Sequence, residues 1–344
     1  MKVKLICLLL PLMLLGCSKK TLRAPVGKLP EITVVEPSEV VEQNQIQQQA
    51  LALFRNQDFD HLEALAAKYR NSKEAYAEGW WKLGMVYSGL GCLDNDSEAA
   101  WQARERQIRD WIQAKPESVT ARVELARFLT DYAWQARGSD WASKVTDEGW
   151  RLMGDRLKAA AEVLGEAEKL DEKCPVYWSA VQQAALGLQL DKSRYDAIFN
   201  QAIKEFPDYE YYYNNRATFL LPRWYGDEGE LARDLEKSAD RIGGEAGDML
   251  YAQVVWDTHH YGGPTNVLVE NNLSWARTDR GFQVILKNFP DSLAAKNEGA
   301  HLAALAGDQA AALKYFLLTQ GQVDLRQWDD QDQFVNCYKW ALGQ

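Results

Sequence analysis

Apolar residues recur along this chain with the period of an α-helix, and no long segment alternates in the manner of a β-strand. One of the clearest helical stripes is formed by Trp150, Met153, Leu157, Ala160 and Leu164. Only Ile32–Val35 and Val267–Val269 suggest strands, and both segments are too short to found a sheet. The pattern therefore predicts an all-α fold in which helices joined by short turns pack as antiparallel hairpins.

Prolines punctuate the helical stripes at similar points. Pro116, Pro207 and Pro290 each follow a stripe and precede a polar turn. Because proline cannot continue a helix and disfavours the helical conformation in the residue before it, each of them marks a helix end. The spacing from Pro175 to Pro207 is close to the repeat of about 34 residues that is typical of tetratricopeptide repeats.

The last of these units gives the clearest resemblance to a tetratricopeptide repeat. If Pro290 is its terminal proline, the small, small and aromatic positions of the repeat are Ala300, Ala312 and Phe316. Elsewhere the proline spacing is irregular. The chain thus resembles a degenerate tetratricopeptide-like α-solenoid with insertions, and a more globular helical fold is the alternative.

The amino-terminal segment has the three parts of a secretory signal. Basic residues precede an apolar run that is too short to span a bilayer, and a small residue stands before Cys17. The sequence Leu14-Leu15-Gly16-Cys17 resembles the lipobox of bacterial lipoproteins. This resemblance implies cleavage after residue 16 and lipidation of Cys17, whereas an ordinary cleaved signal is the alternative. By similarity to enterobacterial sorting, Ser18 favours the outer membrane, with the protein facing the periplasm.

Three regions follow from these observations. Residues 1–16 form the signal peptide, residues 17–42 form a lipidated, flexible linker containing Pro25, Pro30 and Pro37, and residues 43–344 form the helical domain.

Charge and cysteine content limit the partners and the covalent links. The net charge of −10 argues against a general nucleic-acid-binding surface, which requires clustered lysine and arginine. After the signal and the lipidated residue are set aside, Cys92, Cys174 and Cys337 remain. They allow either three free thiols or a single disulfide whose pairing the sequence does not fix.

A second resemblance concerns the middle of the chain. The stretch Arg223-Trp224-Tyr225-Gly226 is followed by an acidic helix start, and in this it is similar to DUF4034, an uncharacterised bacterial helical domain. The resemblance would extend over about residues 55–300. It implies a helical fold and no known activity.

Aromatic residues supply the candidate binding site. The chain contains 13 tryptophans, and exposed aromatics on a helical surface could hold a peptide or a glycan. The candidate residues are Trp224, Tyr225, Arg223, Trp80 and Trp81. The alternative is that bulky side chains fill the space between hairpins. Arg223 could bind the carboxylate of Asp227 or Glu228, or the loop could simply cap the next helix.

The segment Asp257-Thr258-His259-His260 places an acid next to two adjacent histidines. Adjacent histidines on a helix point about 100° apart, so they seldom share a metal ion. The glycines that follow predict a helix end with histidines at its favourable negative pole. No nucleophile-elbow, zinc-protease, phosphate-loop or dinucleotide motif is found. We therefore predict no catalytic residue, no metal site and no cofactor.

These observations favour a membrane-anchored periplasmic scaffold that binds a protein or peptide partner and does not bind nucleic acid. Two alternatives remain open. One is a periplasmic enzyme or glycan-binding module that uses the Trp224 loop and the Asp257–His260 cluster. The other is an immunity-type lipoprotein that neutralises a toxin.

Overall fold

The computed structural model describes residues 27–92, 96–262 and 266–344, so the predicted signal peptide and Cys17 lie outside the described residues. These residues contain 16 α-helices. They are α1 (Ser38–Arg55), α2 (Phe59–Ser72), α3 (Leu83–Ser88), α4 (Glu98–Ala114), α5 (Val119–Arg137), α6 (Asp147–Ala167), α7 (Pro175–Gly187), α8 (Lys192–Glu205), α9 (Tyr211–Phe219), α10 (Glu230–Ile242), α11 (Gly244–Gly262), α12 (Val267–Glu270), α13 (Trp275–Asn288), α14 (Leu293–Leu305), α15 (Gln309–Thr319) and α16 (Gln331–Ala341). Two short strands, β1 (Thr33–Val34) and β2 (Gln322–Val323), pair in parallel.

Helices pack side by side with the next helix along the chain or with the next but one. Examples are α5 with α6, α11 with α13, and α14 with α15. The apolar faces of these pairs merge into one large core that extends from Ile46 to Leu342. The predicted all-α, helical-repeat architecture is confirmed. The segment Val267–Val269, weighed above as a short strand, lies in helix α12.

The prolines end helices by the expected mechanism. The residues before them, Lys115, Phe206 and Phe289, leave the helical region with φ of −129°, −135° and −132°. After two of these turns, Ser118 and Ser292 accept the backbone N–H three residues on and begin the next helix. Proline and serine together thus set the helix boundaries.

The last hairpin is closely packed at the positions that the repeat pattern selects. Ala300, Ala312 and Phe316 are fully buried. Gly307 adopts a left-handed conformation with φ of +71°, and the Asp308 side chain caps α15 by accepting the Ala311 N–H. The assignment of these helices to the tetratricopeptide family stays a prediction.

The segment before α1 is part of the folded body. The Thr33 and Val35 N–H groups donate to the carbonyls of Gly321 and Val323, at 3.0 and 2.9 Å. Helix α1 begins at Ser38, directly after Pro37, and not near residue 43. The described residues 27–42 therefore differ from the flexible linker that the sequence predicts. Strand pairing and helix α1 supply backbone partners that local composition does not reveal.

Two further properties were left open by the sequence. Cys92, Cys174 and Cys337 are all free thiols, and the Cys174 sulfur lies 3.2 Å from the Tyr87 hydroxyl. Among the helices of the described residues, none combines the length and apolar character needed to cross a bilayer.

Candidate functional site: an aromatic pocket and a histidine–glutamate cluster

The loop between α9 and α10 turns back tightly over the end of α9. The Trp224 N–H donates to the Leu221 carbonyl at 2.8 Å, and the Tyr225 N–H donates to the Phe219 carbonyl at 3.1 Å. A Cβ atom on Gly226 would lie 1.8 Å from the Leu220 carbonyl oxygen, so only glycine can occupy this position. This close approach fixes where Trp224 and Tyr225 project.

Trp224 and Tyr225 line a pocket of about 620 Å³ together with Arg223. Its other aromatic residues come from distant parts of the chain: the end of α5, the turn before α6, the start of α6 and the end of α11. They are Trp134, Trp141, Trp150 and Tyr261. Four tryptophans and two tyrosines thus surround one cavity, although they come from segments that are far apart in the sequence.

The aromatic rings and two arginines of this pocket hold one another in place. The rings of Trp134 and Trp224 meet edge to face, with centroids 5.7 Å apart. The Arg137 guanidinium lies 5.7 Å from the ring centroids of both Trp134 and Trp150. Such contacts between a cation and an aromatic face fix ring orientation as well as adding stability. The pocket is therefore preorganised.

Arg223 does not form the predicted clamp with Asp227 or Glu228. Its guanidinium lies over the Tyr261 ring at 4.5 Å and donates to the Tyr261 backbone carbonyl at 3.1 Å. The backbone N–H of Asp227 instead donates to the Glu230 carboxylate at 2.8 Å, which supports the start of α10. Arg223 therefore binds the Tyr261 carbonyl at the end of α11 and not the carboxylate of Asp227 or Glu228.

Part of the pocket wall is open to solvent. The Trp141 side chain is 79% exposed and Tyr261 is 46% exposed, which is unusual for large aromatic residues. The buried indole N–H of Trp224 has no hydrogen-bond partner among the described residues. The pocket thus combines a rigid aromatic wall with an accessible aromatic rim.

Trp80 and Trp81 lie away from this pocket. Trp81 is only 6% exposed, and its ring meets Tyr209 edge to face at 5.3 Å. Trp80 is half-buried and packs against Tyr211 and Trp256. Both residues fill space between helices, so the structure gathers three of the five candidate residues and assigns the other two to packing.

The histidines at the end of α11 converge on a buried carboxylate. Glu298, on α14, is fully buried. Its Oε1 lies 2.9 Å from His259 Nδ1, and its Oε2 lies 3.2 Å from His260 Nε2. The two histidines do point in different directions, but a carboxylate has two oxygens and so receives both.

His301 completes the cluster, one helical turn after Glu298. Its ring lies 4.8 Å from that of His259, and its Nδ1 lies 2.7 Å from the Gln327 backbone carbonyl. His259, Glu298 and His301 can each offer one ligand atom such that these atoms all lie within 4.8 Å of one another. The structure therefore contains a group that could hold a metal ion, although the sequence predicts none.

Burial and hydrogen bonding oppose each other in this cluster. Burial alone would raise the pKa of Glu298, but the hydrogen bonds from His259 and His260 outweigh it and lower that pKa to about 2. Burial lowers the pKa of His301. Nearby Asp257 has its pKa raised to about 6 by burial. Asp257 and His259 are not among the residues that line the aromatic pocket.

Two signals in the sequence could have found the missing residues. Glu298 and His301 stand three positions apart, which places them on one face of a helix in a spacing used by carboxylate metal sites. For Trp134, Trp141 and Trp150, the only signal is their density between residues 134 and 150. Nothing local indicates that this stretch meets the loop at Trp224.

One part of the chain resembles a known family. No curated protein matches the chain. Residues 45–173 match the model of a family described as Domain of unknown function (DUF4034), so the predicted resemblance to that family is confirmed for this range, which contains Trp134, Trp141 and Trp150 and ends before the loop at Trp224.

Proposed function

We propose that this protein is a lipid-anchored component of the bacterial cell envelope that binds a protein partner through the aromatic pocket around Trp224. The observation that carries the proposal is the pocket itself, which gathers four tryptophans, two tyrosines and two arginines from distant segments. Tryptophan, tyrosine and arginine are the residues most enriched at the energetic centres of protein interfaces.

The partner contributes an extended segment with an apolar side chain that enters the pocket. The volume of about 620 Å³ accommodates one or two large side chains, and the exposed Trp141 ring at the rim can cover the backbone beside them. The unpartnered Trp224 indole N–H is a donor that a carbonyl of the partner can satisfy after a small ring movement.

Binding is favoured over catalysis because, among the described residues that line the pocket, Asp140 is the one carboxylate, and no histidine, lysine or cysteine lines the pocket with it. Its two arginines already donate to backbone carbonyls, Arg137 to those of Gly138 and Asp140, and Arg223 to that of Tyr261. An enzyme would place a titratable pair with perturbed pKa values at the cavity. We accordingly propose that the pocket holds its ligand without converting it.

The anchor is the second part of the proposal. Acyl chains on Cys17 would hold the protein at the outer membrane, and the helical body would face the periplasm. Replacing Cys17 with serine should abolish incorporation of an alkyne-labelled fatty acid and release the protein from the membrane fraction. Labelling that persists in Cys17→Ser would contradict the anchor but would leave the pocket proposal untouched.

Crosslinking in living cells tests the pocket directly. A photo-crosslinking amino acid at Trp141, whose side chain is 79% exposed, should capture one discrete polypeptide. The matched control places the same amino acid at Val269, which is 70% exposed and lies on α12. Adding Trp224→Ala to the Trp141 variant should strongly reduce the captured species.

Two outcomes would overturn the pocket proposal. One is the same set of crosslinked proteins from positions 141 and 269, since that would indicate random collision. The other is retention of the purified protein on peptidoglycan that depends on Trp141 while no polypeptide is captured, since that would identify a glycan as the ligand.

A further inference from the structure

We propose that His259, Glu298 and His301 form a binding site for a divalent transition metal, with Zn²⁺ as the best match to the three ligands. The site is separate from the aromatic pocket and does not depend on the function proposed for that pocket. It joins the end of α11 to the middle of α14.

The geometry already approaches that of a metal centre. Zinc binds imidazole nitrogen and carboxylate oxygen at about 2.0–2.2 Å, which sets neighbouring ligand atoms somewhat more than about 3 Å apart. The ligand atoms of the three residues all lie within 4.8 Å of one another, and His259 Nδ1 and Glu298 Oε1 are 2.9 Å apart. Small side-chain rotations would bring all three onto one ion.

The charge of the cluster favours a cation. A fully buried carboxylate is costly unless an opposite charge accompanies it. Among the described residues, the ion pairs of Glu298 are with His259 and His260, and no lysine or arginine is paired with it. A divalent cation held by His259, Glu298 and His301 would place a fixed positive charge directly beside this carboxylate.

The hydrogen bond of His301 selects a tautomer suited to ligation. Its Nδ1 lies 2.7 Å from the Gln327 backbone carbonyl, so Nδ1 carries the proton and donates. The Nε2 lone pair then accepts only a long contact from the Gln333 amide nitrogen, at 3.5 Å, which a metal ion could displace. A ring nitrogen fixed by donation to a carbonyl, with the other free, is the usual arrangement of a metal-binding histidine.

His260 orients the carboxylate from the outside. Its Nε2 lies 3.2 Å from Glu298 Oε2 and 2.9 Å from Gln327 Oε1. The His260 side chain is 38% exposed, whereas the three ligands are at least nine-tenths buried, so it marks the side from which an ion reaches the site. With three protein ligands, one position on the metal is left for solvent.

Cobalt titration of the whole protein tests this site. The full chain, purified in detergent and freed of metal with a chelator, is titrated with Co²⁺ and followed by visible absorption. We expect one equivalent to produce the d–d bands of four- or five-coordinate cobalt, and one equivalent of Zn²⁺ to abolish them. Glu298→Gln and His301→Gln should each weaken binding by more than about tenfold.

His61→Gln is the matched control, because His61 is an exposed histidine on α2, a different helix from those of the ligands, and contacts Asp58. This variant should bind cobalt as the unchanged chain does. If circular dichroism shows that either ligand variant fails to fold, X-ray absorption of the zinc-loaded unchanged chain tests the site directly. The spectrum should show two imidazoles and oxygen ligands.

Three results would overturn the proposal. They are the absence of saturable cobalt absorption in the unchanged chain, absorption that survives both ligand substitutions, and thiolate charge-transfer bands that place the metal on a cysteine.

Discussion

Glu210 is a buried acid at the start of α9 whose role depends on its protonation. It is 4% exposed, and its Oε1 accepts the Trp81 backbone N–H at 2.8 Å. Burial raises the pKa of Glu210 to about 8, against the opposing effect of the hydrogen bond from Trp81. The folded protein therefore carries a protonated carboxyl at neutral pH, whereas the unfolded chain carries a carboxylate.

This difference in protonation predicts a pH dependence of stability. Between the ordinary pKa of 4.5 and about 8, the folded state binds a proton that the unfolded state has lost. Rising pH therefore lowers the free energy of unfolding, by on the order of 1 kcal/mol per pH unit for this group. Glu210→Gln keeps the acceptor for Trp81 and removes the titration, so it should be more stable than the unchanged chain at pH 8 and similar to it at pH 5.

Urea unfolding at several pH values measures the effect. The control is Glu117→Gln, at an exposed position in the turn after α4, which should leave the pH profile unchanged. If the unchanged chain and Glu210→Gln differed by the same free energy at pH 5 and pH 8, the inferred protonation of Glu210 would be wrong.

Single residues of the candidate site differ in how far the sequence reveals them. Arg223, Trp224 and Tyr225 could be selected because they lie together in a loop, where large aromatic residues suggest a binding role. Trp80 and Trp81 are candidates for another reason, since neighbours on one predicted helix cannot both face the core, but both lie before α3 and pack inward. Exposure depends on which surfaces the rest of the fold covers, and local sequence does not carry that information.

At the scale of elements, small residues decide how closely helices approach. A Cβ atom on Gly281 of α13 would lie 2.1 Å from the Asp248 carbonyl oxygen and 2.5 Å from the Ala252 Cβ, both on α11. No side chain could be accommodated without separating the two helices. The glycine is therefore required by packing and not by backbone conformation.

Gly281→Ala should destabilise the protein by about 1–3 kcal/mol, because α13 must move away from α11. Gly154→Ala on α6 is the matched control, since nothing lies within 4 Å of its added Cβ. That substitution should stabilise the protein by about 0.5–1 kcal/mol through helix propensity. Chemical denaturation of both variants gives the comparison, and equal effects would show that the contact between α11 and α13 does not limit the substitution.

The helices themselves were predictable, and so were the helix ends that a proline marks. The residues before Pro116, Pro207 and Pro290 are forced out of the helical region by the proline ring, which is a local effect that one sequence reveals. The pairing of α11 with α13 across the short helix α12 was not predictable, because it depends on contacts that no local pattern encodes.

At the scale of the whole molecule, contacts join the first and last segments of the described residues. Strand β1 pairs with β2, and the Gln344 side chain donates to the Gly27 carbonyl at 2.9 Å, 317 positions away. An open solenoid has contacts only between neighbouring repeats. Sequence reasoning does not find this contact, because two-residue strands leave almost no pattern. It does not find the pocket around Trp224 either, because the residues that line the pocket are far apart in the sequence.

The backbone bond from the Val35 N–H to the Val323 carbonyl gives a test of this end-to-end contact. Val35→Pro removes the donor, which should weaken the contact by roughly 1 kcal/mol and speed amide hydrogen exchange in residues 322–327 about fivefold. Backbone amides alternate in direction along a strand, so the Val34 N–H points away from β2 and Val34→Pro is the matched control. Hydrogen exchange measured by mass spectrometry should separate the two variants. Equal exchange in both would mean that the pairing of β1 with β2 adds nothing to the stability of the carboxy-terminal hairpins.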